Sequence, residues 1–249
     1  MKITIVTVCY NAERTIAETL ESVAMQSHHD VENIVIDGAS TDNTLKIVER
    51  YAGRLAHVLS EPDHGVYDAM NKGIKLASGD VIGFLNADDV YADKNVLTRV
   101  VDIIERETLD ALFGDVEFFR PNDPTRTIRR YRSARFSPDK IALGWMPAHP
   151  ALFLRRRVYE RFGVFRTDYR IAGDFEYCAR IFQSNTLVYR SLPETLVRMR
   201  IGGISTSGWR NTLLLNKEVL RACRENGIDT NVLKIFSKYP AKLLEFLVK

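Results

Sequence analysis

Four short β-branched runs, each closing on a cluster of acids, amides or glycine, alternate with stretches of helical period over residues 1–90. That alternation specifies βα units, because apolar residues packed two apart or in unbroken runs make strands, while apolar residues three and four apart make helices. The runs are Ile3 to Val8, Glu32 to Asp37, Ala56 to Ser60 and Val81 to Asn86, with helices expected over Ala12 to Gln26, Asp42 to Tyr51 and Val66 to Ala77. In the first helix Ile16, Leu20 and Val23 form the stripe that should lie on the sheet. Units of this kind build a mostly parallel sheet flanked by helices, an α/β fold of Rossmann-like kind.

The alternation continues through a helix near Asn95 to Glu105 and a strand at Ala111 to Phe113, then loosens. Residues Arg120 to Arg135 are arginine-rich and carry Pro121 and Pro124, which predicts an exposed loop or edge hairpin. A strand at Ala151 to Leu154, a helix from Phe175 to Phe182, and strands near Leu187 to Tyr189 and Thr195 to Met199 follow. The segment Trp209 to Lys249 reads as two helices broken around Gly227 and again near Pro240. A chain of 249 residues accommodates one α/β domain over residues 1–205 and a C-terminal helical segment (206–249).

Composition narrows the class. Apolar residues at 45% and charged residues at 27% match soluble globular chains, and no apolar run approaches the roughly 18 residues of a spanning helix, so membrane contact would be peripheral. Ile3 to Val8 is too short for a secretory apolar region and reads as a strand. The net charge of +3 is too mild to argue for nucleic acid. Cys9, Cys178 and Cys223 are odd in number and far apart, as expected of reduced thiols in a cytoplasmic protein.

In an open α/β sheet, ligands bind beyond the carboxyl ends of the strands. Polar residues collect there repeatedly: Tyr10-Asn11 after the first run, Asp37-Gly38-Ala39-Ser40-Thr41-Asp42 after the second, Glu61-Pro62-Asp63-His64-Gly65 after the third and Asn86-Ala87-Asp88-Asp89 after the fourth. Hard oxygen ligands following the apolar Val81 to Leu85 suit Mg²⁺ or Mn²⁺ bridging a diphosphate, although an Asp pair also serves as a turn and helix cap. Asp37 can accept from a base or ribose, while Ser40, Thr41 or Asp42 caps the next helix. Lys72 either neutralises phosphate or is a solvated helix lysine, and His64 either faces the ligand or caps the turn. Asp174, after Gly173, is either an N-cap or a general base, with Glu176 pointing elsewhere. His149, before the strand Ala151 to Leu154, either touches an acceptor or is a satisfied structural histidine, and Trp145 lies in the same late segment.

The motifs Ile5-Val6-Thr7-Val8-Cys9-Tyr10-Asn11, Val35 to Thr44 and Phe84-Leu85-Asn86-Ala87-Asp88-Asp89, in that order, resemble family 2 glycosyltransferases of the GT-A fold. Gly173-Asp174 extends the resemblance to about residue 205, and Gly202-Gly203-Ile204-Ser205 gives it the flavour of bacterial O-antigen, capsule and colanic-acid enzymes. The resemblance implies inverting transfer from a nucleotide-diphosphate sugar, UDP favoured, to a glycan or lipid-linked acceptor, with the diphosphate held by Mn²⁺ or Mg²⁺. It implies a nucleotide-binding half (1–110) and an acceptor half (111–205), in which Asp37 contacts the base and Asp63 lies near the nucleotide. Asp88 would ligate the metal, Asp89 or Asn86 would reach the ribose or a metal-bound water, and Asp174 would deprotonate the acceptor. Tyr10, Asn11 and Lys72 join the donor site. Asn86 replaces the usual first acid of Asp-x-Asp and concentrates the metal role on Asp88. A lipid-linked acceptor would suit a C-terminus whose Lys234, Lys238, Lys242 and Lys249 meet headgroups at the inner face of the cell membrane while Phe236, Leu243 and Phe246 enter the interface. The alternative packs these helices on the domain or on a second copy in a homodimer. Two other classes stand beside this reading: a nucleotidyltransferase, disfavoured by the glycine-free turn Cys9 to Arg14, and a non-catalytic sugar-nucleotide-binding subunit.

Overall fold

The computed structural model describes residues 1–202 and 209–237. Its first part alternates β1 (Ile3–Cys9), α1 (Ile16–Ala24), β2 (Val31–Asp37), α2 (Thr44–Glu49), β3 (His57–Ser60), α3 (Val66–Leu76) and β4 (Val81–Phe84). Then come β5 (Val90–Tyr91), α4 (Val96–Arg106), β6 (Ala111–Arg120), β7 (Asp123–Tyr131), β8 (Leu152–Arg155), α5 (Arg156–Phe162), α6 (Gly173–Gln183), β9 (Tyr189–Arg200), α7 (Trp209–Glu225) and α8 (Val232–Phe236). The sheet order is β3-β2-β1-β4-β8-β6-β9-β5, with β7 on β6. Pairing is parallel across β3, β2, β1 and β4, and mixed beyond β4. This is the expected α/β class.

Alternation along each strand divides the core. Val6 and Val8 of β1, with Ile34 and Ile36 of β2, face α3 and the later helices, whereas Ile3 and Ile5 join α4's Val96, Leu97, Val100 and Ile104 on the other face. The stripe Ile16, Leu20 and Val23 on α1 is buried as expected. Phe84, Phe113 and Phe153 are fully buried, and truncating one to alanine should cost about 3–5 kcal/mol.

Two expectations change, and the arginine-rich segment takes one of its two expected forms. The strands expected near Leu187 to Tyr189 and Thr195 to Met199 are one strand, β9: its register against β6 jumps from Gly114↔Leu192 to Asp115↔Thr195, so Pro193 and Glu194 bulge out instead of ending it. The arginine-rich segment is the β6–β7 hairpin, whose edge strand β7 tolerates Pro124. Helix α6 begins at Gly173, with Ala172 at the N-cap, so Asp174 is not the cap.

The break at Gly227 is present, with φ at +68°. Helix α7 buries Val219, Ala222 and Cys223 in the same apolar cluster as Phe175, Cys178 and Ile181 of α6. The expectations at Gly203-Ile204-Ser205, Lys238, Pro240, Lys242, Leu243, Phe246 and Lys249, and the boundary at residue 205, fall outside the described residues.

Candidate active site

The carboxyl ends of β1, β2 and β4 open on a pocket of about 520 Å³, lined by Asn11, Glu13, Arg14, Asp42, Asp88 and Arg200 among others. The loop after β4 is braced from below: the Thr19 hydroxyl of α1 donates to the Asp89 carbonyl at 2.8 Å. Asn86 is turned inward, its Nδ2 donating to Asp89 Oδ2 at 3.0 Å. An aspartate at 86 would have no N–H for that bond, which gives the departure from Asp-x-Asp a structural reason. Asp89 is 1% exposed, and its Oδ1 has no hydrogen-bond partner.

Burial pushes both carboxyls above the usual range; Asp88's charge adds to the rise at Asp89, and Arg200 opposes it at both. Sequence reasoning missed Arg200. It arrives through the antiparallel β5–β9 ladder, in which Val90 faces Arg198; continuing that register two residues sets Arg200 opposite Asp88. Nothing local in the sequence marks it, because the partner strand lies more than a hundred residues away. Its Nη2 bonds Glu18 at 2.6 Å, while its buried Nε has no partner.

Of the other residues expected at the donor, Asn11 lines this pocket, and the rest are engaged elsewhere. Asp37 is fully buried: Oδ2 accepts from Ser40 N at 2.9 Å and Ser60 Oγ at 2.7 Å, and Oδ1 accepts from Ser40 Oγ and Cys9 Sγ. Its carboxylate is therefore spent on the β2 turn. Burial beside it pushes the Cys9 thiol up, so Cys9 stays protonated. Asn11 accepts from the Thr41 amide at 2.8 Å and joins the same turn, and Asp42 accepts from Thr44 N at 2.9 Å at the start of α2, whose N-cap is Asn43 and not Ser40, Thr41 or Asp42. Tyr10 is 64% exposed. It shares its place with Asp63 across Gly38, where a Cβ would stand 2.4 Å from Asp63 Oδ2 and 3.5 Å from the Tyr10 ring. Lys72 is held by Glu61 at 2.9 Å and Asp68 at 3.6 Å, and the bond to Glu61 raises its pKa. Two acids thus neutralise it. His64 is exposed, and its backbone amide donates to Asp68 at 3.0 Å.

Asp174 stands in the second half, at the start of α6. Its Oδ1 accepts from Phe175 N at 2.8 Å and from the Tyr67 hydroxyl at 3.2 Å. Gly173 is required there, because a Cβ would meet the Tyr67 ring at 2.7–2.9 Å. Glu176 points away, paired with Arg180 at 2.9 Å. His149 stacks on Phe84, with centroids 5.4 Å apart, and its Nε2 is buried without a partner. Burial lowers its pKa and the charge of Asp174 works against that, so the ring is neutral near pH 7. Trp145 stacks on Tyr131 at 6.1 Å. Among the described residues no three His, Cys, Asp or Glu side chains gather as a metal cluster.

The model of the family described as Glycosyl transferase family 2 matches residues 4–179. The chain belongs to that family. This family 2 glycosyltransferase is 32% identical over 216 residues to a PGL/p-HBAD biosynthesis glycosyltransferase of Mycobacterium bovis, with 85% of this chain and 79% of the relative covered. A Nostoc protein described as an uncharacterized glycosyltransferase is 27% identical over 216 residues, covering 82% and 66%. Among solved structures, S. aureus TarS 1-349 in complex with UDP-GlcNAc superposes with a TM-score of 0.71 at 21% identity, over 89% of this chain and 66% of that one. The mannosyltransferase PcManGT of Pyrobaculum calidifontis, in complex with GDP-Man and Mn²⁺, gives 0.66 at 21% identity over 88% and 64%. At such identities the shared property is the GT-A fold, and this chain spans about two thirds of those solved chains. Family membership sets aside the nucleotidyltransferase and the non-catalytic subunit. No helix among the described residues is long and apolar enough to cross a membrane.

Proposed function

We propose that this glycosyltransferase binds a nucleotide-diphosphate sugar across β1, β2 and β4 and transfers the sugar, with inversion, to a hydroxyl of a glycan or lipid-linked acceptor. The observation that carries the reading is the Asp88–Arg200 juxtaposition beside an open polar pocket. Two carboxylates raised by burial, one with an orphaned oxygen, fit a divalent cation that takes its remaining ligands from a diphosphate and water. Asp88 would hold Mn²⁺ or Mg²⁺ at the pocket, with the buried Asp89 behind it, and the ion when bound would neutralise charge on the leaving diphosphate. Arg200 brings a fixed positive charge to the same anion.

Tyr10 offers an exposed ring for the base, and Asp63 an acceptor beside it; Asp37 supports them by holding the β2 turn. Asn86 fixes the loop that carries the metal acids, and Lys72 fixes the β3–α3 turn. At the other side Asp174 takes the acceptor hydroxyl proton as that oxygen bonds the anomeric carbon and the bond to the diphosphate oxygen breaks. Attack on the face opposite the leaving group inverts the anomeric centre. His149, neutral and with a bare Nε2, and the Trp145 ring are the acceptor-side contacts. The relative named for PGL/p-HBAD biosynthesis and the complexes with UDP-GlcNAc and GDP-Man support this substrate class. Exposed Trp209, Leu213, Leu233 and Phe236 on α7 and α8 support peripheral contact with the cytoplasmic face of a membrane.

A thermal-shift panel of UDP-, GDP- and dTDP-sugars with Mn²⁺ or Mg²⁺ tests the donor reading. A fitting donor at a hundredfold its Kd adds about 2.7 kcal/mol, roughly 5–10 °C for a chain of this size. Asp88→Ala should abolish the metal-dependent part. No stabilisation of the native enzyme by any member of the panel would contradict the proposal.

A further inference from the structure

Three consecutive backbone amides lead into the Asp174 turn, and one buried carboxylate takes all three. Arg170 N donates to Glu218 Oε1 at 2.9 Å, and Ile171 N and Ala172 N donate to Oε2 at 2.9 and 2.8 Å. Glu218 lies on α7, is 8% exposed, and comes from the C-terminal segment rather than from either half of the catalytic sheet. The Ile171 peptide is gripped from its other side too, since its carbonyl accepts from the Tyr67 hydroxyl of α3 at 2.6 Å. Around this anchor α7 makes a second set of contacts with the same loop. Arg221 pairs with Asp168, and Glu225 bonds Arg166 at 2.7 Å and the Tyr169 hydroxyl at 2.6 Å.

These outer pairs are half-exposed and contribute little singly. The inner carboxylate is different. Three consecutive amides that share one carboxylate from a separate helix tie the path of residues 170–172 to where α7 sits, most tightly at Ala172, whose bond to Glu218 is buried.

We infer that Glu218 is a positioning residue: α7 sets the approach of Asp174 to the acceptor through the 170–172 amides, which makes the C-terminal helix part of the catalytic apparatus. This rests on the reading of Asp174 as the base. Glutamine keeps the shape of the side chain but offers one acceptor oxygen, and its amide would face one of the three N–H groups. Alanine removes all three bonds.

The test compares Glu218→Gln, Glu218→Ala, Asp174→Asn and a core control, Val101→Ala on α4, well below the melting temperature of each. The expected kcat loss is about tenfold for Glu218→Gln and about a hundredfold for Glu218→Ala, the scale of a misplacement near 1 Å. Donor KM and donor Kd should stay within about twofold in both, because the donor pocket lies on other elements. Val101→Ala should lower the melting temperature while keeping kcat. A native kcat in Glu218→Ala beside an inactive Asp174→Asn overturns the positioning role alone. A kcat loss in Val101→Ala matching that of Glu218→Ala at equal loss of melting temperature also overturns it, since stability would then explain both. Full transfer by Asp174→Asn overturns the base assignment and the positioning role with it.

Discussion

The Tyr67 hydroxyl of α3 lies 3.2 Å from Asp174 Oδ1 and 2.6 Å from the Ile171 carbonyl, so α3, between the parallel strands β3 and β4, holds an acid at the start of α6. Burial, with the charge of Asp174 next, pushes the Tyr67 pKa up, and its proton is always available to these two acceptors. Tyr67→Phe keeps the ring against Gly173 and removes that proton. Steady-state kinetics should show kcat reduced by about 5–30-fold with donor KM unchanged, the loss of one hydrogen bond at a positioned group.

Gly38→Ala isolates the donor side. The new Cβ would stand 2.4 Å from Asp63 Oδ2, the end of a half-buried side chain that can swing away. The fold should survive, with the melting temperature within a few degrees, while donor KM rises by about tenfold and kcat at saturation holds. A raised kcat loss without a KM change would point to a different role for Asp63.

Metal-dependent donor binding should depend on pH in a definite direction. Burial raises Asp88 and Asp89, so their protonated forms persist to higher pH than ordinary carboxyls, and a cation competes with those protons. Donor affinity in Mn²⁺ should therefore climb as pH rises through the acid range. Arg200 opposes the rise, so Arg200→Ala should move the whole curve to higher pH as well as weaken binding. Calorimetric titration at several pH values reads both effects.

Away from the site, Glu32 is 4% exposed at the amino end of the sheet. Burial alone would raise its pKa, yet bonds from Lys2, Ser78 and Thr4 overcome this and hold it at about 2. A carboxylate depressed from 4.5 contributes stability in full above the unfolded value, lost as pH falls from 4.5 towards about 2. Glu32→Gln should cost about 2 kcal/mol at neutral pH, the full worth of the shift being reduced by solvent at Lys2, and should flatten the acid limb of a denaturation series.

What the sequence makes legible is local. Apolar and β-branched runs ending in acids or amides locate β1, β2 and β4 and bring Asp88 to the carboxyl edge of the sheet, because strand period and switch-point position are properties of short segments. Asp37 ends β2 as expected, but whether its carboxylate faces a ligand or its own turn depends on Ser40 and on Ser60 from another strand. Arg200 depends on the β5–β9 register, Tyr67 looks like any core aromatic on a helix, and Glu218 looks like any solvated helix glutamate. Each gains its meaning only from a partner far along the chain.

The proposed division of labour, Asp88 for the donor and Asp174 for the acceptor, is open to one substitution. Asp174→Asn measures it most directly, with donor affinity by calorimetry and sugar transfer by single-turnover analysis on the same sample. Donor binding is expected within about twofold of the native enzyme, with transfer slowed by at least about a thousandfold, within the range for loss of a general base. Donor binding lost together with transfer, or transfer at the native rate, would contradict it.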